Sequence, residues 1–315
     1  MTHARVTGAQ DSITPTYGYI GGTSNCGSTL MSFLLNAQPG VASVGEVAWS
    51  IPRVNPGLFP CSCGARLDSC QFWSEVSREM QQRGHRFDAD HWNTAFEVSD
   101  NSLLQRVAVR SLASNFADVL RDKLVHKLPG WGKELTEIGS RNAALAESIA
   151  TITRASVFVD ASKDPARVRL LCEYSDVQPY VIHLVRDAPA FVKSFIKKDP
   201  RKLQTAIRWW NRSIWQMERL KRTVPAERWL LLRYEDLCAE PEAELRRVLK
   251  FLGVDADAPI LDYRSAPHHI IGNRMRLRDS SKIRLDTSWR EELSGTQLDE
   301  IIANTVENRQ RFGYS

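Results

Sequence analysis

A short segment near the N-terminus has the residue types of a phosphate-binding loop. Residues 19–35 read YIGGTSNCGSTLMSFLL, in which an apolar run precedes a small polar cluster and an amphipathic stretch follows it. The ATP- and GTP-binding pattern G-x-x-x-x-G-K-[ST] fits from Gly22 through Gly27 to Thr29, except that Ser28 stands in place of the lysine. Free backbone N–H groups and the helix dipole at such a helix start bind an anion without a cation. For this segment alone, an ordinary helix cap is the alternative interpretation.

Charged residues follow three further apolar segments and could act on an anion held in that loop. Arg186 ends VIHLVR and Ser194 lies eight residues later; the planar fork of an arginine matches phosphate oxygens. Lys163 follows VFVDAS, and Glu46 follows VASVG. A positioned glutamate can serve as the general base for a hydroxyl group, which is worth about 10²- to 10⁴-fold in rate. A solvated surface position is the alternative for each of these residues. His183 lies inside VIHLV and is interpreted as a core histidine.

Three of the six cysteines lie close together in PCSCGARLDSCQFW, as Cys61, Cys63 and Cys70. The first pair is C-x-C instead of the usual C-x2-C of metal sites, and no second pair follows. A structural zinc would need a fourth ligand from elsewhere, with His85 or His91 as candidates. A local disulfide is a second interpretation, and free thiols in an ordered loop are the favoured one.

Composition restricts the class of protein. The chain has 315 residues, 43% hydrophobic and 25% charged, with a net charge of +5 and a pI near 8.9. This modest basic excess suits a small anionic ligand and argues against a nucleic-acid partner, which usually requires a basic stripe. No apolar run reaches the ~18 residues of a membrane span. We therefore expect a soluble, cytoplasmic protein whose residues 1–16 form a flexible N-terminal arm.

Apolar segments alternate with amphipathic ones in the rhythm of a parallel sheet. Strands are predicted at YGYIGG, VASVGEV, SVFVDAS, QPYVIHLVRD and RWLLLRYEDL. Helices are predicted at residues 28–37 and 201–223. Further helices are predicted at PAFVKSFIKK, at PEAELRRVLKFLG and from a start near KDPARVRLL. The pattern predicts an α/β fold, a P-loop-like three-layer domain over 17–315 with a central parallel sheet. An insertion at about 51–153, helical over 101–127 and 134–153, is predicted to form a cap.

These segments resemble, in order, the sulfotransferases that use 3′-phosphoadenosine 5′-phosphosulfate (PAPS). They are most similar to the carbohydrate and tyrosylprotein branches and their bacterial relatives. GGTSNCGSTLMSFLL resembles the 5′-phosphosulfate loop of the family, and LVRDAPAFVKS resembles its 3′-phosphate motif. VDASKDPAR, LLLRYEDLCAEPEAELRRVLKFLGV and HHIIGNRMRLRDSSKIRLDTSW resemble later blocks. The resemblance covers roughly 17–50 and 155–292.

The resemblance implies a role for each matching residue. The loop would hold the 5′-phosphosulfate through Thr23, Ser24, Asn25, Cys26, Gly27, Ser28 and Thr29. Arg186 and Ser194 would hold the 3′-phosphate, with Arg276 a weaker candidate for the same nucleotide and Arg284 and Trp289 weaker still. The donor carries a single 5′-phosphate bearing sulfate, so neither a loop lysine nor a metal ion is required.

One residue departs from the family pattern at the point where charge develops. Most members carry Lys or Arg two residues before the loop glycine, where this chain has Asn25. Asparagine donates a hydrogen bond but supplies no charge to the bridging oxygen as the S–O bond breaks. Lys163 is the candidate substitute; without one, the protein would be slow or inactive. Glu46 matches the glutamate that serves as the base in the tyrosylprotein branch.

The resemblance therefore implies metal-independent, in-line transfer of a sulfuryl group from PAPS to a hydroxyl, or less readily an amine. The acceptor would be a small molecule, a glycan or a peptide, and the sequence leaves its identity and the oligomeric state open. One alternative is a degenerate small-molecule kinase in which Asp160 of VFVDAS binds magnesium. The other is a nucleotide-binding module without catalysis, which Asn25 makes reasonable.

Overall fold

The structure is a computed structural model that describes residues 13–48, 55–97, 109, 115–127, 130–197, 199–255 and 257–315. The predicted N-terminal arm, 1–16, and the first part of the predicted helical stretch 101–127 lie largely outside the described residues. The division of the chain into arm, domain and insertion therefore stays a prediction.

A parallel five-stranded sheet forms the centre of the protein. Its strands are β1 (Thr16–Gly22), β2 (Val41–Gly45), β3 (Val157–Lys163), β4 (Tyr180–Val185) and β5 (Trp229–Arg233). Their order is β2-β3-β1-β4-β5, and every neighbouring pair is parallel. Because β1 is central, the loop that follows it lies between the carboxyl ends of β3 and β4, where open α/β sheets bind ligands.

Helices cover both faces of this sheet. They are α1 (Ser28–Asn36), α2 (Gln71–Gln82), α3 (Asn115–Lys127), α4 (Trp131–Thr153), α5 (Pro165–Tyr174), α6 (Ala188–Ile196), α7 (Leu203–Lys221), α8 (Tyr234–Ala239), α9 (Pro241–Phe251), α10 (Trp289–Glu292) and α11 (Gly295–Arg311). Ile20 packs with α1 and α9 on one face, whereas its neighbour Tyr19 packs with α4 and α5 on the other. The predicted three-layer α/β fold with a central parallel sheet is confirmed. Among the described residues, no helix combines the length and the apolarity that a bilayer crossing requires.

Three local features refine the predictions. The second helical segment of the insertion, α4, packs on the sheet, because Leu145 and Ile149 share one core cluster with Phe158. Its place follows from topology: β2 and β3 are parallel neighbours, so their connection must cross over one face. The predicted strand RWLLLRYEDL ends at Arg233, since acidic residues at 235–236 favour the start of helix α8. Helices α2 and α11 were not predicted, although α11 begins with a capping box readable as S-x-x-Q.

A buried carboxylate, Asp160, lies at the centre of β3 with no exposed surface. One oxygen accepts hydrogen bonds from the Tyr17 hydroxyl (3.0 Å) and from Nε of Arg167 (2.8 Å). The other oxygen accepts from the backbone N–H (2.8 Å) and the hydroxyl (2.6 Å) of Ser162. Because both oxygens are occupied within the core, Asp160 is not placed to bind the magnesium ion of a kinase.

The guanidinium of Arg167 extends this buried network into the chain between β2 and β3. It donates to the carbonyl of Thr94 (2.6 Å) and to the side-chain oxygen of Asn142 in α4 (2.5 Å). The Thr94 hydroxyl donates in turn to the carbonyl of Val47 (2.6 Å), and the Val47 N–H donates to the Ser162 hydroxyl (3.2 Å). The residues that follow β2 are thereby fixed against the end of β3.

Replacing Arg167 by Met should leave the Asp160 carboxylate buried without its cation. We expect the free energy of unfolding, measured by urea denaturation, to fall by about 3–5 kcal/mol. The double variant Asp160→Asn/Arg167→Met should lose less, because it buries no unpaired charge. Arg246→Met is the control, since its ion pair with Glu242 is exposed and should cost at most about 1 kcal/mol. Equal losses for Arg167→Met and the control would contradict this account.

Candidate active site

The loop between β1 and α1 has a backbone that only particular residues can adopt. Gly22 (φ +150) and Gly27 (φ +101) have left-handed backbone angles, and Asn25 shares that region with φ 57. A Cβ atom on Gly22 would lie 2.3 Å from the carbonyl oxygen of Leu184, and one on Gly27 would lie 2.3 Å from the ring of Tyr234. Gly27 is also the N-cap of α1, and no side chain caps this helix. The helix start is therefore open to an anion, unlike that of an ordinary capped helix.

The side chains of the loop divide into buried and exposed groups. The hydroxyl oxygen of Thr23 is buried and has no hydrogen-bond partner among the described residues, so its O–H group is free to donate. Ser28 and Thr29 are buried in the first turn of α1, whereas Ser24 is exposed. Cys26 is buried in the core, and burial raises the pKa of its thiol, so that it stays neutral.

Arg186 follows β4 directly and braces the loop. Its Nη1 donates to the backbone carbonyl of Asn25 (3.0 Å), and its guanidinium lies 4.7 Å from the ring centre of Tyr234. Its Nη2 is 3.4 Å from a carboxylate oxygen of Asp286, and its Nε is buried without a partner among the described residues. Arg186 thus places a positive charge at the loop and retains one unused donor.

Neighbouring contacts fix the strand end that carries Arg186. The indole N–H of Trp210 donates to the carbonyl of Arg186 (3.0 Å). The next residue, Asp187, accepts from the N–H of Ala188 (2.8 Å) and caps α6. The same carboxylate pairs with the buried guanidinium of Arg309 from α11 (2.8 Å). The C-terminal helix therefore supports the orientation of Arg186.

The predicted partner of Arg186, Ser194, points to its own helix. Its hydroxyl donates to the carbonyl of Ala190 (3.0 Å), which leaves the oxygen able to accept. Beside it, the half-buried Lys193 contacts the hydroxyl of Ser288 (2.6 Å) and the carboxylate of Glu292 (2.9 Å). Sequence reasoning passed over Lys193, although it lies within the quoted motif AFVKS.

Glu46 and Lys163 meet as an ion pair at the adjacent strand ends. Their side chains are only 17% and 13% exposed. The Glu46 N–H donates to the carbonyl of Ile271 (2.8 Å), which fixes the backbone at this point. A Cβ atom on Gly272 would lie 3.0 Å from the Thr29 hydroxyl and 3.7 Å from the Glu46 carboxylate. Glu46 and Thr29 therefore border one small space, which a side chain at position 272 would fill.

Two other candidates occupy structural positions. Arg276 donates from Nε to the carbonyl of Pro60 (3.1 Å) and from Nη1 to that of Gly272 (2.6 Å), and it lies over the ring of Phe59. Its role in nucleotide binding stays a prediction, because two of its three nitrogen atoms already hold loops together. His183 is fully buried, and burial lowers its pKa to about 3, which makes it a neutral core residue.

The cysteine cluster lies next to this region and has a different fourth member from those expected. Four ligand atoms within 4.8 Å of one another belong to Cys61, Cys63, Cys70 and His269. The expectation of His85 or His91 as the fourth member is wrong, because the ring nitrogen of His269 takes that place. The His85 ring instead contacts the hydroxyl of Ser140 (3.3 Å), and the His91 ring contacts the carboxylate of Asp88 (2.7 Å). His269 was missed because it is 199 residues from Cys70 in the sequence.

Comparison with known proteins supplies an independent finding. A family model described as "Sulfotransferase family" matches residues 19–258. The chain is similar to the sulfotransferase domain from the Synechococcus PCC 7002 olefin synthase, with 21% identity, a TM-score of 0.50 and 97% coverage of both chains. It is also similar to the sulfotransferase domain from the curacin biosynthetic pathway, with 16% identity, a TM-score of 0.51, and coverage of 96% of this chain and 99% of that one. At these identities the structural likeness concerns the fold alone. No curated protein sequence matches the chain.

Replacing Gly27 by Ala should destabilise the loop through two effects, the left-handed backbone and the collision with Tyr234. Gly253→Ala is the matched control, because Gly253 has φ +79 and open space around its Cβ position. We expect the control to lose about 1–2 kcal/mol of unfolding free energy. Gly27→Ala should lose a further 1–3 kcal/mol, roughly, from overpacking. Urea denaturation measures both, and equal losses would mean that Tyr234 moves aside freely.

Proposed function

The chain belongs to the sulfotransferase family, and on that premise we propose that it transfers a sulfuryl group from PAPS to a hydroxyl acceptor. The observation that carries the proposal is the loop after β1. One backbone turn brings together an uncapped helix start, the buried Thr23 hydroxyl and the buried Nε of Arg186, and neither side-chain group has a partner in the part of the chain that the structure describes. Together they supply neutral and charged donors for an anionic nucleotide, with no loop lysine.

The donor would lie along the carboxyl edge of the sheet. The backbone N–H groups at 23–29 and the hydroxyls of Thr23, Ser28 and Thr29 would hold the 5′-phosphosulfate. Arg186 would hold the 3′-phosphate. This phosphate would displace the carboxylate of Asp286, which lies 3.4 Å from Nη2 of Arg186. Lys193 adds a cation on the same side, and Ser194 can accept or rotate to donate. PAPS is then a co-substrate, and the transfer itself needs no metal ion.

The ion pair between Glu46 and Lys163 would perform the proton and charge chemistry. PAPS supplies the sulfuryl group and departs as adenosine 3′,5′-bisphosphate. Glu46 accepts the proton of the incoming hydroxyl, whose oxygen forms the new S–O bond in line with the bond that breaks. Lys163 stabilises negative charge on the bridging oxygen, and Asn25 contributes an uncharged hydrogen bond there.

The alternatives are distinguished by the ligand and by turnover. A kinase has no support from Asp160, whose oxygens are both used inside the core. Titration with adenosine 3′,5′-bisphosphate against ATP and magnesium tests this directly, because only the kinase should prefer ATP. A binding module without catalysis should bind the bisphosphate and transfer no label from PAPS to any acceptor. Screening labelled PAPS against small-molecule, glycan and peptide hydroxyls identifies the acceptor class.

Arg186→Ala should weaken adenosine 3′,5′-bisphosphate binding more than it weakens adenosine 5′-phosphosulfate binding. Both ligands should lose the support that Arg186 gives the loop through Asn25. Only the bisphosphate should also lose charge-assisted bonds to its 3′-phosphate, an additional cost of roughly 2–3 kcal/mol. Isothermal titration calorimetry measures both affinities.

Arg246→Ala controls for the loss of one positive charge, because this arginine lies in an exposed ion pair on α9. Its affinities should match those of the wild type. An identical loss for both ligands in Arg186→Ala would show that the arginine acts on the loop alone. The 3′-phosphate would then need another partner, for which Lys193 is the next candidate.

Glu46→Gln should abolish the base while it preserves the shape of the side chain. Turnover with an identified acceptor should fall about 10²-fold or more. Bisphosphate affinity should stay within roughly threefold, because the change lies on the acceptor side. Glu242→Gln, in an exposed ion pair, should leave both quantities unchanged. Joint loss of turnover and nucleotide affinity in Glu46→Gln would assign Glu46 to the support of the loop instead.

A further inference from the structure

Three sulfur atoms and one imidazole nitrogen converge beside the first turn of α2. The sulfurs of Cys63 and Cys70 are 3.7 Å apart. Nδ1 of His269 lies 3.4 Å from the sulfur of Cys70 and 3.7 Å from that of Cys61. All four atoms lie within 4.8 Å of one another. Such convergence needs an explanation, because thiols are weak hydrogen-bond partners and seldom gather around an imidazole for packing alone.

We propose that Cys61, Cys63, Cys70 and His269 form a tetrahedral zinc site. Zinc–sulfur bonds of ~2.3 Å and zinc–nitrogen bonds of ~2.0–2.1 Å place tetrahedral ligands about 3.8 Å apart for two sulfurs and about 3.6 Å apart for sulfur and nitrogen. The measured separations of 3.7, 3.4 and 3.7 Å agree with these values. A disulfide needs sulfurs at ~2.05 Å and would leave the third cysteine and the histidine unexplained. Thiolate and imidazole ligands in tetrahedral arrangement favour zinc over magnesium or calcium.

The local backbone arranges these ligands before any metal arrives. The Cys61 N–H donates to the carbonyl of Ala65 (2.8 Å), and Gly64, at φ +91, closes the turn. This turn brings the sulfurs of Cys61 and Cys63 into one cluster. A C-x-C pair can therefore supply two ligands here, although metal sites usually have the spacing C-x2-C.

The histidine ring is held in the required orientation. His269 stacks on the ring of Phe72, with ring centres 4.3 Å apart and planes only 3° from parallel. Phe72 belongs to α2, two residues after Cys70, so one helix start positions both a sulfur ligand and the ring that carries the nitrogen ligand. The orientation of Nδ1 therefore does not depend on an exposed loop.

The zinc would be structural, because four protein ligands leave no open coordination position for a substrate. It would join segments 208 residues apart, next to a set of hydrogen bonds on the Ser62 hydroxyl. That hydroxyl donates to the carbonyl of His268 (3.0 Å) and accepts from the N–H of Ile270 (2.7 Å). The following residue, Ile271, accepts from the N–H of Glu46. The metal would thereby position the backbone of the candidate base without taking part in the transfer.

The test is the metal content of the full chain, purified without chelators and analysed by elemental mass spectrometry. We expect about one zinc per chain in the wild type and less than about 0.2 in His269→Ala and Cys70→Ser. His85→Ala and Cys172→Ser are the matched controls and should retain their zinc, since both residues lie outside the cluster. Cobalt(II) exchanged into the wild type should give the intense visible bands of a tetrahedral thiolate site. Cys63→Ser, which changes the exposed ligand, should shift or lose these bands while circular dichroism stays unchanged.

Two results would overturn the proposal. One is a folded wild type that holds less than about 0.2 zinc per chain and gives no cobalt bands after incubation with the metal. The other is a disulfide among the three cysteines, found by mass spectrometry of the freshly isolated, unreduced chain. Neither result depends on sulfuryl transfer, so failure of the zinc proposal is separate from failure of the proposed function.

Discussion

The buried carboxylate of Asp160 must find all of its hydrogen bonds within the core, and this requirement governs the geometry at the carboxyl edge of the sheet. A charge without solvent contact needs a cation and hydrogen bonds to every lone pair, and Asp160 receives them from three elements. Ser162 links Asp160 to the residues that follow β2, because its hydroxyl donates to the carboxylate and accepts from the N–H of Val47. Glu46 precedes Val47 and Lys163 follows Ser162, so the ion pair of the candidate active site lies beside this buried polar network.

The loop after β1 and Arg186 depend on a second arrangement, in which Tyr234 is central. Its ring supports the guanidinium of Arg186, packs against Gly27 and, through its hydroxyl, contacts the carbonyl of Arg284 (3.3 Å). One aromatic residue at the end of β5 therefore links the loop, the arginine and the segment that carries Asp286. Two of the cations in this region are paired with carboxylates, Lys163 with a well-buried one and Arg186 with an exposed one. A bound anion displaces an exposed partner more easily, which supports the proposed division between binding by Arg186 and chemistry by Lys163.

The backbone around Glu46 is held from a third direction by the segment that contains His269 and Gly272. This segment pairs with the end of β2 and lies beside Thr29, so it borders the small space between Thr29 and Glu46. Arg276 and the cysteine cluster both attach it to residues 60–70. Glu46 and Arg186 are therefore supported by different contacts, Glu46 by this segment and Arg186 by Asn25 and Tyr234.

The sequence by itself determined the parallel α/β fold, the phosphate-type loop, the resemblance to a family and the strand ends at which Glu46, Lys163 and Arg186 lie. These features follow from local periodicity and from glycines whose backbone angles few other residues adopt. Only the tertiary structure decided that Glu46 pairs with Lys163, that Tyr234 supports Arg186, that α4 packs on the sheet and that His269 joins the cysteines. The physical reason is distance along the chain, because these contacts join residues that are far apart in the sequence, as with His269 and Cys70, which are 199 positions apart. Their partners are chosen by strand order and crossover, and no local pattern of residue types records that choice.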